Sequence, residues 1–280
     1  NLIKAGFEVT VWNRTRARAQ DFVRAHEGVT LAETPREVAA ASEVLLTCLP
    51  NSGEVQEVLD GPDGVLAGLR VGALVLDCTS GIPEASRQIA ERVEARGATF
   101  ADAPVSGGTN GAEAGTLTVM VGGTAETVER ARPVLEAFGQ RIVHLGPVGS
   151  GHAMKAVNNA LLGVHILALG EGLTALVKAG VAPRTAVEVL NASSGRSFVS
   201  EALVPERVLT GAWPATFRLA LLAKDAGIAC DLQDRLGLDG PLLSLGADLL
   251  DQALAELGGD PDYLEAIRMY ERHAGVEVRG

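Results

Sequence analysis

The chain has 280 residues, of which 47% are hydrophobic and 21% charged, and its formal net charge is −11. That length suits two domains of ordinary size in a soluble globular protein. The acidic balance excludes a general nucleic-acid binder, which needs a basic face against phosphates.

Up to about Leu145, short β-branched runs alternate with helical stretches. Glu8–Trp12, Val44–Cys48, Ala73–Asp77 and Thr99–Ala103 read as strands that end in polar loops, with amphipathic helices such as Arg16–Ala25 and Glu84–Arg96 between them. Thr34-Pro35-Arg36-Glu37 is a helix start: Thr34 as N-cap, Pro35 in the first turn, Glu37 reaching back. Leu117, Val119 and Val121 alternate with Thr118 and Met120 and predict a further strand, placed at a sheet edge. Strand–helix alternation of this kind predicts an α/β domain whose mostly parallel sheet is covered on both faces.

After Gly146 the strand signals stop. Helices are expected at about 151–179, 183–190, 197–209, 217–236, 241–257 and 262–273. The first is long enough to leave one domain and form the spine of another. The boundary therefore falls at Gly146, giving domains 1–146 and 147–280. The apolar run Ala156 to Gly170 contains two asparagines and a histidine and is closed by Lys155 and Glu171, so it predicts a buried helix and no membrane span. Cys48, Cys78 and Cys230 have no CxxC spacing and the five histidines no HExxH pattern. No metal site is expected; with no signal peptide in view, reduced thiols fit a cytoplasmic protein.

The chemistry concentrates in Gly149-Ser-Gly-His-Ala-Met-Lys155-Ala-Val-Asn158-Asn159. In a helix, Lys155 and Asn159 share one face, one turn apart. The glycine-rich entry lets a substrate and a cofactor approach the backbone. A cation and an amide beside apolar surface suit protonation of a carbonyl oxygen or deprotonation of an alcohol.

Four blocks, Asn13-Arg14-Thr15, Asp102-Ala-Pro-Val-Ser-Gly-Gly108, the Lys155 segment and Leu222-Ala-Lys224-Asp225, together resemble the β-hydroxyacid dehydrogenase family, near its 3-hydroxyisobutyrate dehydrogenase group. The resemblance implies a Rossmann-type dinucleotide-binding domain followed by an all-α domain for substrate and oligomerisation, entered through a long interdomain helix. It implies an oxidoreductase that moves a hydride between NADP(H) and a short 3-hydroxy acid/semialdehyde pair, of the 3-hydroxyisobutyrate, tartronate semialdehyde, glyoxylate or succinic semialdehyde type. Lys155 would then be the proton donor and acceptor, with Asn159 holding the substrate oxygen. Ser106, Gly107 and Gly108 match the carboxylate-binding loop. Lys224 matches a lysine that reaches substrate and cofactor. Leu49, Pro50 and Ser80 match cofactor contacts. Asn13, Arg14 and Thr15 stand where the second strand of such a domain ends. A guanidinium there, in place of an acid, suits a 2′-phosphate and favours NADP, with NAD the lesser choice.

The chain departs from the family pattern at its start. Members begin with a strand and a GxGxxG loop, whereas Asn1-Leu-Ile-Lys-Ala-Gly6 resembles the end of the first helix. The first strand, central in the sheet, is expected upstream of this sequence. A non-catalytic or impaired binding module is the alternative. Oxidative decarboxylation of 6-phosphogluconate fits less well, because Asn158 stands where those enzymes place histidine. Imine reductases replace the lysine present here. The expected partners are a small carboxylic acid and further copies of the chain, as a homodimer or homotetramer.

Overall fold

Runs of β-branched and aliphatic residues stopped by polar or glycine-containing loops give eight strands, in a computed structural model that describes all 280 residues. They are β1 (Val9–Val11), β2 (Val29–Leu31), β3 (Val44–Thr47), β4 (Leu74–Asp77), β5 (Thr99–Asp102), β6 (Val105–Ser106), β7 (Leu117–Gly122) and β8 (Gly139–Gly146). Between them lie helices α1 (Arg16–Ala25), α2 (Pro35–Ala41), α3 (Ser52–Leu59), α4 (Val65–Gly68), α5 (Pro83–Glu94), α6 (Gly108–Ala114) and α7 (Ala125–Leu135). Four of the six strand pairings are parallel; β7 runs antiparallel to β5 and to β6.

The period of two decides which face each residue covers. Leu45, Val75 and Phe100 enter one core cluster, and Leu74, Leu76 and Ala101 another, so both faces of the central strands are dry. The start of α2 is as expected at Thr34, whose hydroxyl accepts from Glu37 N at 3.2 Å. Glu37 reaches back one residue further than a capping box requires, to Glu33 N. Strand β7 is not at an edge: β5, β6 and β8 all pair with it. The reason is that Met120, on the face expected to be polar, is buried as well.

Residues 1–6 form turns, with Ala5 N donating to Asn1 O as in one turn of helix. Strands β1 and β2 make their own two-stranded sheet, and β3 begins the six-stranded one. One edge of β1 and one of β3 border a single cleft of about 740 Å³.

The chain divides by contacts into Asn1–Lys155 and Ala156–Gly280. The second unit is helical: α8 (Ser150–Lys178, which begins in the first unit), α9 (Pro183–Asn191), α10 (Leu219–Arg235), α11 (Pro241–Leu257) and α12 (Ile267–Ala274). The helix expected over 197–209 is instead a π-helix, Val199–Val208, with Pro205 inside it. A proline there has no N–H for the i→i−4 ladder, and wider bonding accommodates the gap. By length and composition α8 is long and apolar enough to cross a membrane. Its Ala160, Ile166, Leu167 and Leu173 are instead buried in the core of the second unit, with Leu222, Leu250 and Leu264.

Candidate active site

The geometry starts at the mouth of α8. A helix leaves its first N–H groups without intrahelical partners. Here the Asp102 carboxylate, at the end of β5, takes two donors: Gly149 N at 2.7 Å on Oδ1 and His152 N at 2.8 Å on Oδ2. Negative charge is favoured at this end of a helix. Burial nevertheless outweighs those bonds and the nearby His152, and holds the Asp102 pKa above the usual carboxylate range. The two glycines are required. Gly149 has φ +93°, and a Cβ on Gly151 would sit 2.3 Å from Met120 O and 2.8 Å from Asp102 Oδ2. Lys155, half-buried, follows one turn after Gly151.

Asn159 is one turn further along the same continuous helix. Its amide nitrogen donates to Asp225 Oδ2 at 2.6 Å, and its oxygen accepts from Asn158 Nδ2 at 3.1 Å. Lys224 Nζ lies 2.8 Å from Asp225 Oδ1 in an ion pair. Asp225, buried in α10, thus joins Asn159 to Lys224. In the sequence Asp225 appears only as the last residue of the Leu222–Asp225 block, and nothing in the spacing links it to Asn159.

Asn13, Arg14, Thr15, Leu49 and Pro50 come together, all lining the cleft between β1 and β3. Asn13 Oδ1 accepts from Thr15 N at 2.8 Å, a local turn that brings the chain round at the end of β1. Arg14 is 75% exposed at the cleft, with its guanidinium 3.7 Å from Glu54. Arg16 is committed elsewhere, in a two-pronged pair with Glu33, while Arg18 also lines the cleft. Arg14 and Arg18 share this rim with Glu54, Glu57, Asp60 and Asp63, so its two guanidinium groups stand among carboxylates at the carboxyl ends of the strands.

Ser80 is on the loop after β4, outside that lining. Its neighbour Thr79, which the sequence reading missed, ties the two loops together: Thr79 Oγ1 accepts from Leu49 N at 3.1 Å, and Thr79 N donates to Asp77 Oδ1 at 3.1 Å. A threonine beside a serine gives no sign of this in sequence. Ser106 ends β6, while Gly107 and Gly108, both exposed and with φ +138° and +64°, lead into α6. This loop sits beyond β7 in the sheet order, away from the Arg14 cleft. Cys48 and Cys78 stand one step past the paired Thr47 and Asp77; Cys48 is exposed, whereas burial pushes the Cys78 thiol pKa well up.

Asn13, Arg14 and Thr15 after β1 and Leu49 and Pro50 after β3, at the carboxyl ends of strands in parallel pairings, mark a nucleotide-binding α/β domain. Comparison with known proteins sharpens this. Residues 1–146 match the family model described as the NAD binding domain of 6-phosphogluconate dehydrogenase, and 149–270 that described as NAD-binding of NADP-dependent 3-hydroxyisobutyrate dehydrogenase. The chain is 36% identical to 2-(hydroxymethyl)glutarate dehydrogenase of Eubacterium barkeri, over 100% of its own length and 92% of the relative's. It is 34% identical to the NAD-dependent L-serine dehydrogenase of Pseudomonas aeruginosa, over 98% and 94%. Among solved structures, Mycobacterium tuberculosis 3-hydroxyisobutyrate dehydrogenase with L-serine superposes with a TM-score of 0.84 at 30% identity, covering 96% of this chain and 92% of that one. The chain belongs to the β-hydroxyacid dehydrogenase family and is an NAD(P)-dependent hydroxyacid dehydrogenase.

Proposed function

We propose that the enzyme interconverts a 2-substituted 3-hydroxypropionate and its semialdehyde, with NADP(H) as hydride carrier. The observation that carries this reading is Lys155 and Asn159 one turn apart on an unbroken α8. The acids named for the similar proteins, 2-(hydroxymethyl)glutarate, L-serine and 3-hydroxyisobutyrate, share one core: a primary alcohol on the carbon next to the one bearing the carboxylate. They differ only in the substituent at that middle carbon. Bound nicotinamide supplies or accepts the hydride. Lys155 gives the proton to the substrate oxygen in reduction and takes it in oxidation. Asn159 holds that oxygen. The backbone N–H groups of Gly107 and Gly108 and the Ser106 hydroxyl receive the carboxylate, and Lys224 adds charge for substrate or cofactor. Leu49, Pro50 and Ser80 are assigned to the cofactor, with Asn13, Arg14 and Thr15 on its ribose-phosphate end.

A panel of 3-hydroxyisobutyrate, L-serine, 2-(hydroxymethyl)glutarate and the matching semialdehydes, assayed with NADP(H) and NAD(H), tests the reading. Turnover of none of them would refute it. Arg14→Ala is expected to weaken NADPH by about 1–3 kcal/mol and NADH far less, the effect of one lost charge-assisted bond. Fluorescence titration with both cofactors checks this, and equal losses would remove the phosphate assignment.

The helical unit is also the proposed self-association surface in a cytoplasmic homodimer or homotetramer. Leu161 on α8 and Leu242 and Leu245 on α11 are exposed at 46%, 73% and 55%. Sedimentation velocity on Leu161→Lys and Leu242→Lys should show smaller species than the parent. A parent sedimenting as a monomer would end that proposal.

A further inference from the structure

His152 is fully buried, three residues ahead of Lys155, and takes no part in the chemistry assigned above. Its ring is held on every side. Nδ1 lies 2.6 Å from Ser86 Oγ on α5. Nε2 faces Asp77 Oδ2 at 3.9 Å, and neither of those atoms has a hydrogen-bond partner. The other Asp77 oxygen is occupied by Thr47 Oγ1 at 2.8 Å and Thr79 N at 3.1 Å. Gly81 rests against the ring edge: a Cβ there would fall 2.7 Å from Cε1 of His152 and 2.8 Å from Ser52 Oγ. Ser52 Oγ in turn accepts from Ile82 N at 2.8 Å.

Two elements therefore meet on this imidazole. One is the loop from Thr79 to Ile82, which carries Ser80. The other is the first turn of α8, which leads to Lys155 and whose backbone is clasped by Asp102. Asp77 and Asp102 are register partners on adjacent parallel strands. One carboxylate thus fixes the backbone of the turn, and the other faces its side chain. A buried carboxylate oxygen and a buried ring nitrogen that both lack a hydrogen bond cost stability, and groups kept at that cost call for a role.

We infer that His152 is a positioning residue for Lys155: its imidazole, bonded to Ser86 and packed against Gly81, seats the first turn of α8, from which Lys155 follows. The inference builds on the acid/base reading of Lys155. A misplacement of about 1 Å in a catalytic group costs on the order of 100-fold in rate without touching affinity. Gly81→Ala, whose methyl would crowd Cε1 and Nδ1 of the ring, should produce the same pattern.

The test compares His152→Gln, His152→Ala, Gly81→Ala and Asp77→Asn with the parent protein. The first readout needs no cofactor: reductive methylation of the intact protein, with the rate at Lys155 normalised to that at Lys178 by peptide mass spectrometry. The second is kcat and KM for 3-hydroxyisobutyrate with NADP+, beside the NADPH dissociation constant from fluorescence. The expected result for His152→Gln is a Lys155 methylation rate changed by about threefold or more and kcat lower by about 10–100-fold, with KM and NADPH affinity within about threefold. An unchanged methylation rate and kcat would overturn the inference. So would kcat, KM and NADPH affinity failing together with a lost cooperative melt, which is what a merely structural residue gives. If His152→Ala does not accumulate as folded protein, the near-isosteric Asp77→Asn decides by the same criteria. Lys155→Ala run in parallel separates the two readings: persistent turnover there removes the acid/base assignment, whereas the methylation comparison judges His152 independently of it.

Discussion

Lys155→Ala is expected to lower kcat by about 10²–10⁴-fold, the usual contribution of a positioned general acid–base group, and to leave NADPH affinity within about twofold. The affinity should hold because the proposed ribose-phosphate contacts belong to the β1–β3 cleft, whose lining does not include Lys155. The fold should hold as well. Lys155 is half-buried, and the clasp that sets the helix start is made by the backbone of Gly149 and His152. Lys155→Arg sharpens the test, because a guanidinium keeps the positive charge and does not release a proton near neutral pH. An arginine variant as inactive as the alanine variant identifies proton transfer as the role. An arginine variant with most of the parental rate would show that charge alone is needed. Steady-state rates alongside fluorescence titration give both quantities, and near-parental turnover by Lys155→Ala would remove the mechanism.

What the sequence made legible follows from the range of the forces involved. The α1 helix, the Thr34 cap and α11 are set by local periodicity and capping, and they stand within a residue or so of expectation. Strand β8 was not foreseen, since Gln140, Arg141 and His144 break the apolar alternation and only its pairing with β7 makes it a strand. Helix α3 escaped notice because Ser52 and Gly53 at its start read as a loop, yet Asn51 caps it through Glu54 N. The Lys155–Asn159 pair was visible because both lie on one helix. The partners that hold the pair's surroundings in place were not, because Asp102, Asp77 and Ser86 are 47 to 75 residues away from the α8 groups they face and Asp225 is 66 from Asn159. Buried polar networks are assembled by tertiary contact, and no spacing rule announces them.

The clasp gives the largest expected effect on stability. Asp102→Ala strands two buried N–H groups, each costing about 1–3 kcal/mol when left without an acceptor. Part of this is offset because the ionised carboxylate is itself held in a site that disfavours charge. A net loss of roughly 2–4 kcal/mol is expected, which lowers the melting temperature by on the order of 5–15 °C for a domain of this size. Asp102→Asn should fall between the two, since its amide oxygen accepts one N–H and its NH2 group opposes the other. The pH dependence has a definite sign. A carboxyl whose pKa is raised on folding binds its proton more tightly in the native state, so its contribution to stability is largest below the ordinary carboxylate range. That contribution declines as pH rises from the ordinary value through the raised one and is level above it. The gap in melting temperature between the parent and Asp102→Ala should therefore narrow over that interval and then stay constant. Thermal melts across the acid range measure it, and a gap that widened with pH would mean that the helix-end field and the two N–H bonds outweigh burial at this carboxylate. Because the same carboxylate seats the turn that carries His152 and leads to Lys155, the alanine variant should also lose turnover below its melting point. A variant that melted early yet kept the parental kcat when folded would show that α8 holds its first turn without the clasp.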